Sequence, residues 1–172
     1  MKNRKLKVLL IVEQCNQEWF SVQLEGYKYY QAISQLTDVT LVTHERNKSA
    51  LDKILAPHQV IYIQESKLIQ KYHTLIASFT YSGKKNWPLY NALSYLVYAE
   101  FNNQVYEKFK SPILKGEYDI VHALTPMMPR YPVKAVQACQ NTPFLLGPVN
   151  GGVPFPKGFQ DIAKQEFAQF NF

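Results

Sequence analysis

Two stretches hold the residues whose types and spacing suit chemistry. "YDIVHALTPMMPRYP", Tyr118–Pro132, sets Asp119 three places before His122 and Thr125 three places after it, in an apolar run. "LLGPVNGGVPFPKGF", Leu145–Phe159, carries four of the seven glycines and three of the ten prolines. Imidazole titrates near neutral pH, so His122 toward a strand's carboxyl end can bond a sugar hydroxyl or an anion, or polarise a leaving group. It equally suits a core histidine that donates to a backbone carbonyl. Asp119 reads as the start or cap of the strand rather than as a catalytic acid. Gly147, Gly151 and Gly152, with Asn150 among them, permit positive φ and expose consecutive N–H groups, the makings of an anion-binding nest. Pro148, Pro154 and Pro156 stiffen the loop. A tight turn needs one or two of these residues; a rigid glycine loop of this length is better explained by a ligand.

A third stretch, "EQCNQEWFSVQLEG", Glu13–Gly26, is a long connection between a first strand and a first helix. Long connections in such units tend to be functional. No G-x-G-x-x-G occurs, which argues against a dinucleotide site of the familiar type. Gly26 lets a ligand approach amides at a positive helix end, or merely eases the chain's path. "VTHERNKS", Val42–Ser49, reads as a solvated turn rather than as crevice lining. The histidines, His44, His58, His73 and His122, share no metal-ligand spacing, and neither cysteine is near one in sequence. No nucleophile elbow or Walker loop is present.

The elements that must position these residues are legible in the apolar runs. Leu6–Val12, Val39–Thr43, Gln59–Ile63, Tyr118–Leu124 and Pro143–Gly147 are short and uninterrupted, as buried parallel strands are. Helical patterns fall between them, at Glu25–Leu36 and at Arg130–Gln140. A longer one, Leu89–Phe109, has apolar residues at three- and four-residue steps. The region before it, Lys71–Pro88, reads as an excursion from the sheet, and the end, Phe159–Phe172, has a helical rhythm. Strand–helix alternation predicts an α/β fold: a single domain with a Rossmann-like, mostly parallel sheet flanked by helices.

Composition narrows the partners. The chain has 172 residues, 47% of them hydrophobic and 19% charged, with a net charge of +6, the profile of a globular protein. Its basic residues are scattered, with neither an RNP-like motif nor finger spacing, which argues against nucleic acid. Two cysteines suggest no disulfide framework, and "MKNRKLKVLLIV" runs into "EQCNQE" without a cleavage site. The expected setting is therefore cytoplasmic. Between Lys67 and Lys110 six lysines stand against two glutamates, so basic residues beside Trp87 can rest on an anionic membrane surface. The alternative is an amphipathic helix packed on the sheet with a solvated lysine face.

In this order, the first strand, "YDIVHALTP" and "FLLGPVNGGVPFP" resemble the amino-terminal half of retaining glycosyltransferases of family 4, which have the GT-B fold. The resemblance covers essentially all of residues 1–172, and "LLGPVNGG" with the D-x-x-H of the fourth strand is its most specific part. It implies two facing Rossmann-like domains, the amino-terminal one binding the acceptor and the other an NDP-sugar donor. No metal or other cofactor is implied, because basic side chains and helix ends neutralise the diphosphate. It also implies Gly26 near the donor phosphates, His122 near the transferred sugar, and the loop from Gly147 through Asn150, Gly151 and Gly152 on the acceptor side. Many members have a glycine pair where this chain has Glu25 and Gly26, and a second histidine where it has Ala123 or Leu124. That leaves Thr125 as the added polar group. The E-x7-E pair of the donor half is absent: no two of the nine glutamates have that spacing.

The resulting expectation is an acceptor-side domain for transfer of a sugar to a glycan or lipid-linked acceptor. It is inactive without a donor-binding domain from a longer chain or a separate polypeptide. A non-catalytic sugar- or lipid-binding or regulatory module with the same fold is the alternative.

Overall fold

The computed structural model describes residues 4–55, 59–82, 84–85, 87–127, 131–149 and 156–165. Its elements in chain order are β1 (Lys7–Val12), α1 (Val22–Leu36), β2 (Asp38–His44), α2 (Lys48–Leu51), β3 (Val60–Ile63), α3 (Lys67–Thr80), β4 (Tyr81–Ser82), β5 (Lys84–Lys85), α4 (Trp87–Leu114), β6 (Ile120–Thr125), β7 (Phe144–Leu146) and α5 (Gln160–Gln165). Contacts gather into two compact units, Met1–Gln64 with Phe101–Val149, and Glu65–Glu100 with Asn150–Phe172.

The first unit holds a five-stranded sheet in the order β3-β2-β1-β6-β7, with every pairing parallel. This is the expected Rossmann-like α/β arrangement. Each apolar run became a strand because side chains alternate across a sheet, and both faces of the central strand β1 are covered, whereas the edge strand β7 leaves Leu145 and Leu146 half exposed. Val8, Leu10 and Val12 of β1 meet Leu41, Leu124 and, from α1, Tyr30 and Ile33. Leu9 and Ile11 turn to the other face and are buried as well. There α4 presents Phe101, Val105, Phe109 and Ile113, one residue per turn and all buried; Phe101 stacks on His44 with centroids 5.8 Å apart. Each large apolar side chain buried in this way contributes about 1.5–3 kcal/mol before conformational entropy is set against it.

Two expectations change in this unit. The helical pattern Arg130–Gln140 yields one 3₁₀ turn, Lys134–Ala138. Buried Asn102 of α4 clamps its start: Nδ2 donates to the Pro132 carbonyl at 2.9 Å and Oδ1 accepts from the Lys134 amide at 3.0 Å. Pro143, soon after, disfavours helical backbone at the residue before it. The second change concerns "VTHERNKS", which is not a solvated turn. His44 and Asn47 are 1% and 0% exposed, in a 3₁₀ turn, Glu45–Asn47, that leads into α2.

The second unit holds the expected excursion from the sheet, and most of it is regular: helix α3, followed by the β4–β5 hairpin. The Ser66 amide meets the Glu100 carboxylate, the Tyr72 hydroxyl the Leu93 carbonyl, and His73 the Tyr90 hydroxyl. One index rises as the other falls, so α3 runs antiparallel to the first half of α4. Of the terminal pattern, Gln160–Gln165 is helix α5, and residues 166–172 lie outside the described residues. No described helix is long and apolar enough to cross a membrane.

Candidate functional site

The sheet order fixes where a site belongs. From β1 the chain moves outward through β2 to β3, whereas β6 lies on the other side of β1 and leads outward to β7. Loops leaving the carboxyl ends of β1 and β6 therefore diverge, and the crevice of an open parallel sheet forms there.

Four predicted residues are among those described, and three of them meet at or next to this edge. Thr125 closes β6, and its hydroxyl oxygen accepts the Gln14 amide at 2.9 Å, tying the loop after β1 to the end of β6. His122 is three residues earlier, half-buried in mid-strand, in register with Leu10 on one side and Leu145 on the other. Its Nε2 lies 2.7 Å from the Gly147 carbonyl oxygen. A carbonyl only accepts, so this contact requires the proton on Nε2. Gly147 follows β7, donates its own amide to the Ala123 carbonyl at 2.9 Å, and has φ +124°, a backbone that residues with a Cβ rarely adopt. The histidine thus sets the direction of the glycine loop as it leaves the sheet. Asn150, Gly151 and Gly152, predicted to continue it, lie outside the described residues.

Gly26 is the fourth. It is buried within α1 rather than ahead of it, because the helix starts at Val22. A Cβ there would sit 2.2 Å from the Gln14 carbonyl oxygen and 2.9 Å from Val12 Cγ1. The missing side chain lets the helix lie directly on the loop after β1. Of its two readings, this geometry is one of packing against that loop.

Sequence reasoning missed the polar group beneath the same loop. The Glu13 carbonyl oxygen accepts from Asn47 Nδ2 at 2.9 Å, and Nδ2 also meets Thr43 Oγ1 at 2.9 Å. The His44 amide and the Thr43 hydroxyl reach the same carbonyl at 3.4 Å. The Glu13 side chain is almost fully covered, with Arg46 Nη2 3.9 Å from its carboxylate. Further along, Asn16 Oδ1 accepts the Glu18 amide at 2.8 Å, a local Asx turn. Ser21 then takes φ +58°, in the left-handed region, just before α1, and no side chain caps that helix. The clue was available: polar residues directly after a buried strand stand at the carboxyl edge. The run of polar types in "HERN" hid that half of them are interior.

Glu13 and Thr125 are buried and position the loops at this edge, where the partly exposed Arg46 guanidinium can make directional hydrogen bonds to a polyhydroxylated or anionic ligand. No protein-family model, no curated protein and no solved structure matches this chain. Its function is therefore argued from these residues and their geometry.

Proposed function

We propose that this chain is the acceptor-side domain of a retaining, GT-B-type sugar transferase. Its carboxyl-edge crevice takes a glycan or lipid-linked saccharide. Transfer from an NDP-sugar requires a donor-binding domain, in the same polypeptide or in another. The observation that carries this reading is one connected set of contacts at the crevice. Gly26 lies against Gln14, Gln14 bonds Thr125, and His122, on the same strand as Thr125, holds Gly147. Of the motif positions that resemble the transferase family, Gly26, His122, Thr125 and Gly147 thus lie at or near one sheet edge, whereas Asp119 stands at the opposite end of β6. In this reading the loop that leaves Gly147 meets the acceptor, while buried Thr125 holds the Gln14 amide and Glu13 with Arg46 shapes the floor beneath.

One observation favours the alternative, a binding or regulatory module without catalysis. The Nε2 of His122 is occupied by a backbone carbonyl, as a purely structural histidine would be.

The test uses the ¹⁵N-labelled chain, titrated separately with oligosaccharides and with UDP- and GDP-sugars. Acceptor saccharides are expected to shift the amides of Gln14, Thr125 and Gly147, while NDP-sugars alone shift little and release no nucleotide. Silence at all three amides toward every saccharide sinks the proposal. Binding that persists while a donor-binding domain restores no transfer selects the regulatory reading.

A further inference from the structure

The connection from β1 to α1 holds two adjacent aromatic side chains out of the core. Trp19 keeps 41% of its surface exposed and Phe20 85%, more than any other large apolar residue among those described. The Asn16 amide donates to the Gln23 carbonyl at 3.0 Å, which closes residues 16–23 into a loop with Trp19 and Phe20 at its middle. That loop is fixed at several points. Asn16 Oδ1 accepts the Glu18 amide, Gln17 Nε2 donates to the Ala50 carbonyl at 2.8 Å, and Lys53 Nζ meets the Glu18 carboxylate at 2.6 Å. Ser21, directly after Phe20, has φ +58°, a conformation that persists only where its surroundings hold it. One exposed aromatic residue needs no explanation, whereas two neighbours on a fixed loop at the carboxyl edge form a contact surface.

The groups around that surface identify what meets it. From Glu13 to Lys28 the charged residues are Glu13, Glu18, Glu25 and Lys28. Each is paired: Glu13 with Arg46, Glu18 with Lys53, and Glu25 with Lys28. Beside them, Asp52 holds the Tyr62 hydroxyl and Lys48 lies over the Tyr62 ring. Such balanced charge suits neither a diphosphate nor an anionic lipid. The remaining polar groups are amides. Gln14, just before the loop, and Gln23, at its end, are half-buried, and their side chains have no hydrogen-bond partner among the described residues. A carboxamide donates and accepts at once, as neighbouring hydroxyls require. An aromatic face is electron-rich and attracts the polarised C–H groups on the apolar face of a sugar ring. A protein partner's apolar side chain would instead leave those amides covered and unsatisfied, at a cost.

We propose that Trp19 and Phe20 form a stacking platform for an uncharged sugar ring, whose hydroxyls the Gln14 and Gln23 carboxamides take. This rests on the acceptor reading of the crevice and adds which part of the acceptor is recognised: a neutral pyranose ring rather than a phosphate or a lipid tail. The platform belongs to the same compact unit as Thr125 and Gly147.

The test uses the whole ¹⁵N-labelled chain with Trp87→Phe, which leaves Trp19 as the one tryptophan of the original two. The probes are methyl glycosides of glucose, galactose, mannose and N-acetylglucosamine, disaccharides of the same sugars, and glucuronate, UDP and inorganic phosphate. A saturable change in Trp19 emission is expected with neutral saccharides, and a weaker one with the anions. Trp19→Ala and Phe20→Ala should each weaken binding, read from the Gln14 amide shift, by on the order of tenfold. Trp19→Phe should stay within about threefold, because a ring remains. Both side chains are already in water, so the urea midpoints should match that of the parent. Leu36→Ala, at an exposed leucine of α1, should change nothing. Shifts at Thr125 and Gly147 without a response at Trp19, or indifference to both alanine changes, overturn the platform and leave the acceptor reading standing. A response at Trp19 with Thr125 and Gly147 silent supports the platform and counts against the acceptor reading alone. Silence at every position removes both. A stronger response to UDP or phosphate than to any neutral saccharide overturns the platform, as does self-association that the alanine changes dissolve.

Discussion

The α-carbon of Gly26 rests on the carbonyl of Gln14 so closely that a methyl group at Gly26 would come within 2.2 Å of that oxygen. In a helix interior, Gly→Ala normally stabilises by up to about 1 kcal/mol. Here the obstacle is backbone that is itself held, since the Gln14 amide is bonded to Thr125. Overpacking therefore decides the sign, and Gly26→Ala should destabilise by about 3 kcal/mol or more. Gly158, where an added Cβ meets nothing within 4 Å, is the control, and its alanine variant should unfold as the wild type does. Urea titration of both variants checks this; a neutral Gly26→Ala would mean that α1 does not lie on this loop.

His122 and Gly147 form the second checkable pair. Removing the imidazole deletes a hydrogen bond and leaves a half-buried carbonyl, so His122→Ala should cost about 1–3 kcal/mol. His122→Gln keeps a nitrogen donor at nearly the same reach and should recover part of that loss. Amide exchange should localise the effect, with Gly147 losing protection in the alanine variant before the residues of β1 do. Equal loss in the alanine and glutamine variants would show that the ring's packing matters rather than its Nε2–H.

Much of this was readable beforehand, and the reasons differ by element. Val8–Val12 is an unbroken apolar run and Tyr118–Leu124 a mostly apolar one, as a sheet covered on both faces requires, so the strands and their mostly parallel pairing were plain. The longest helix was equally plain over Leu89–Phe109, since Phe101, Val105 and Phe109 recur once per turn, though its last turn to Leu114 was not foreseen. The Gly26–Gln14 approach was not, because a glycine's reason lies in what faces it. Asn47 and Asn102 were hidden for a related reason: a buried amide looks polar in sequence, and only its partners, the Glu13 and Pro132 carbonyls, explain its place. Lys71–Pro88 was read as an excursion with no helix in it because the apolar residues of α3 there lie on two sides, with Ile76 inward and Leu75 and Phe79 outward.

Asp119 couples the foot of the sheet to pH. Its carboxylate accepts from Arg4 Nη2 and from the Lys7 amide, each at 2.7 Å. The Arg4 bond first and the Lys7 amide second hold its pKa below the ordinary value of 3.8. A depressed carboxylate stabilises the fold fully above that ordinary value, and the stabilisation fades as pH falls through the folded value. Wild type should therefore exceed Asp119→Asn in urea midpoint by a constant margin at neutral pH, and the margin should shrink below about pH 4. A margin that stays the same from about pH 6 to about pH 2 contradicts the pairing.

The two cysteines should differ in reactivity. Cys15 is buried with the β1–α1 core, and desolvation pushes its thiol up to about 12. Cys139 is half-buried, with its pKa also raised by burial, and its Sγ lies 3.2 Å from the Ala135 carbonyl. Since the thiolate is the nucleophile, a disulfide reagent at mildly alkaline pH should label Cys139 first and Cys15 only at the rate at which the domain opens. Denaturant below the unfolding midpoint should accelerate Cys15 alone. Equal labelling rates in native buffer would place Cys15 at the surface and remove the support beneath the loop after β1.

Asn47 gives the sharpest test of the polar floor. Its Nδ2 is the only donor within 3.0 Å of the Glu13 carbonyl among the described contacts, and its Oδ1 is buried with no hydrogen-bond partner among the described residues. Asn47→Ala removes the donor and should cost about 1–3 kcal/mol, the price of a buried carbonyl left poorly satisfied. Asn47→Asp should be worse, because it sets a carboxylate oxygen against the Glu13 carbonyl and buries a second negative charge near the Glu13 side chain. Lowering the pH should rescue the aspartate variant and not the alanine one, since protonation restores a donor and removes the charge. The order wild type, alanine, aspartate in neutral urea titrations, with alanine and aspartate converging or crossing in acid, follows only if the amide nitrogen faces Glu13. An aspartate variant as stable as wild type at neutral pH would reverse that orientation, and with it the account of how the loop after β1 is held over the crevice.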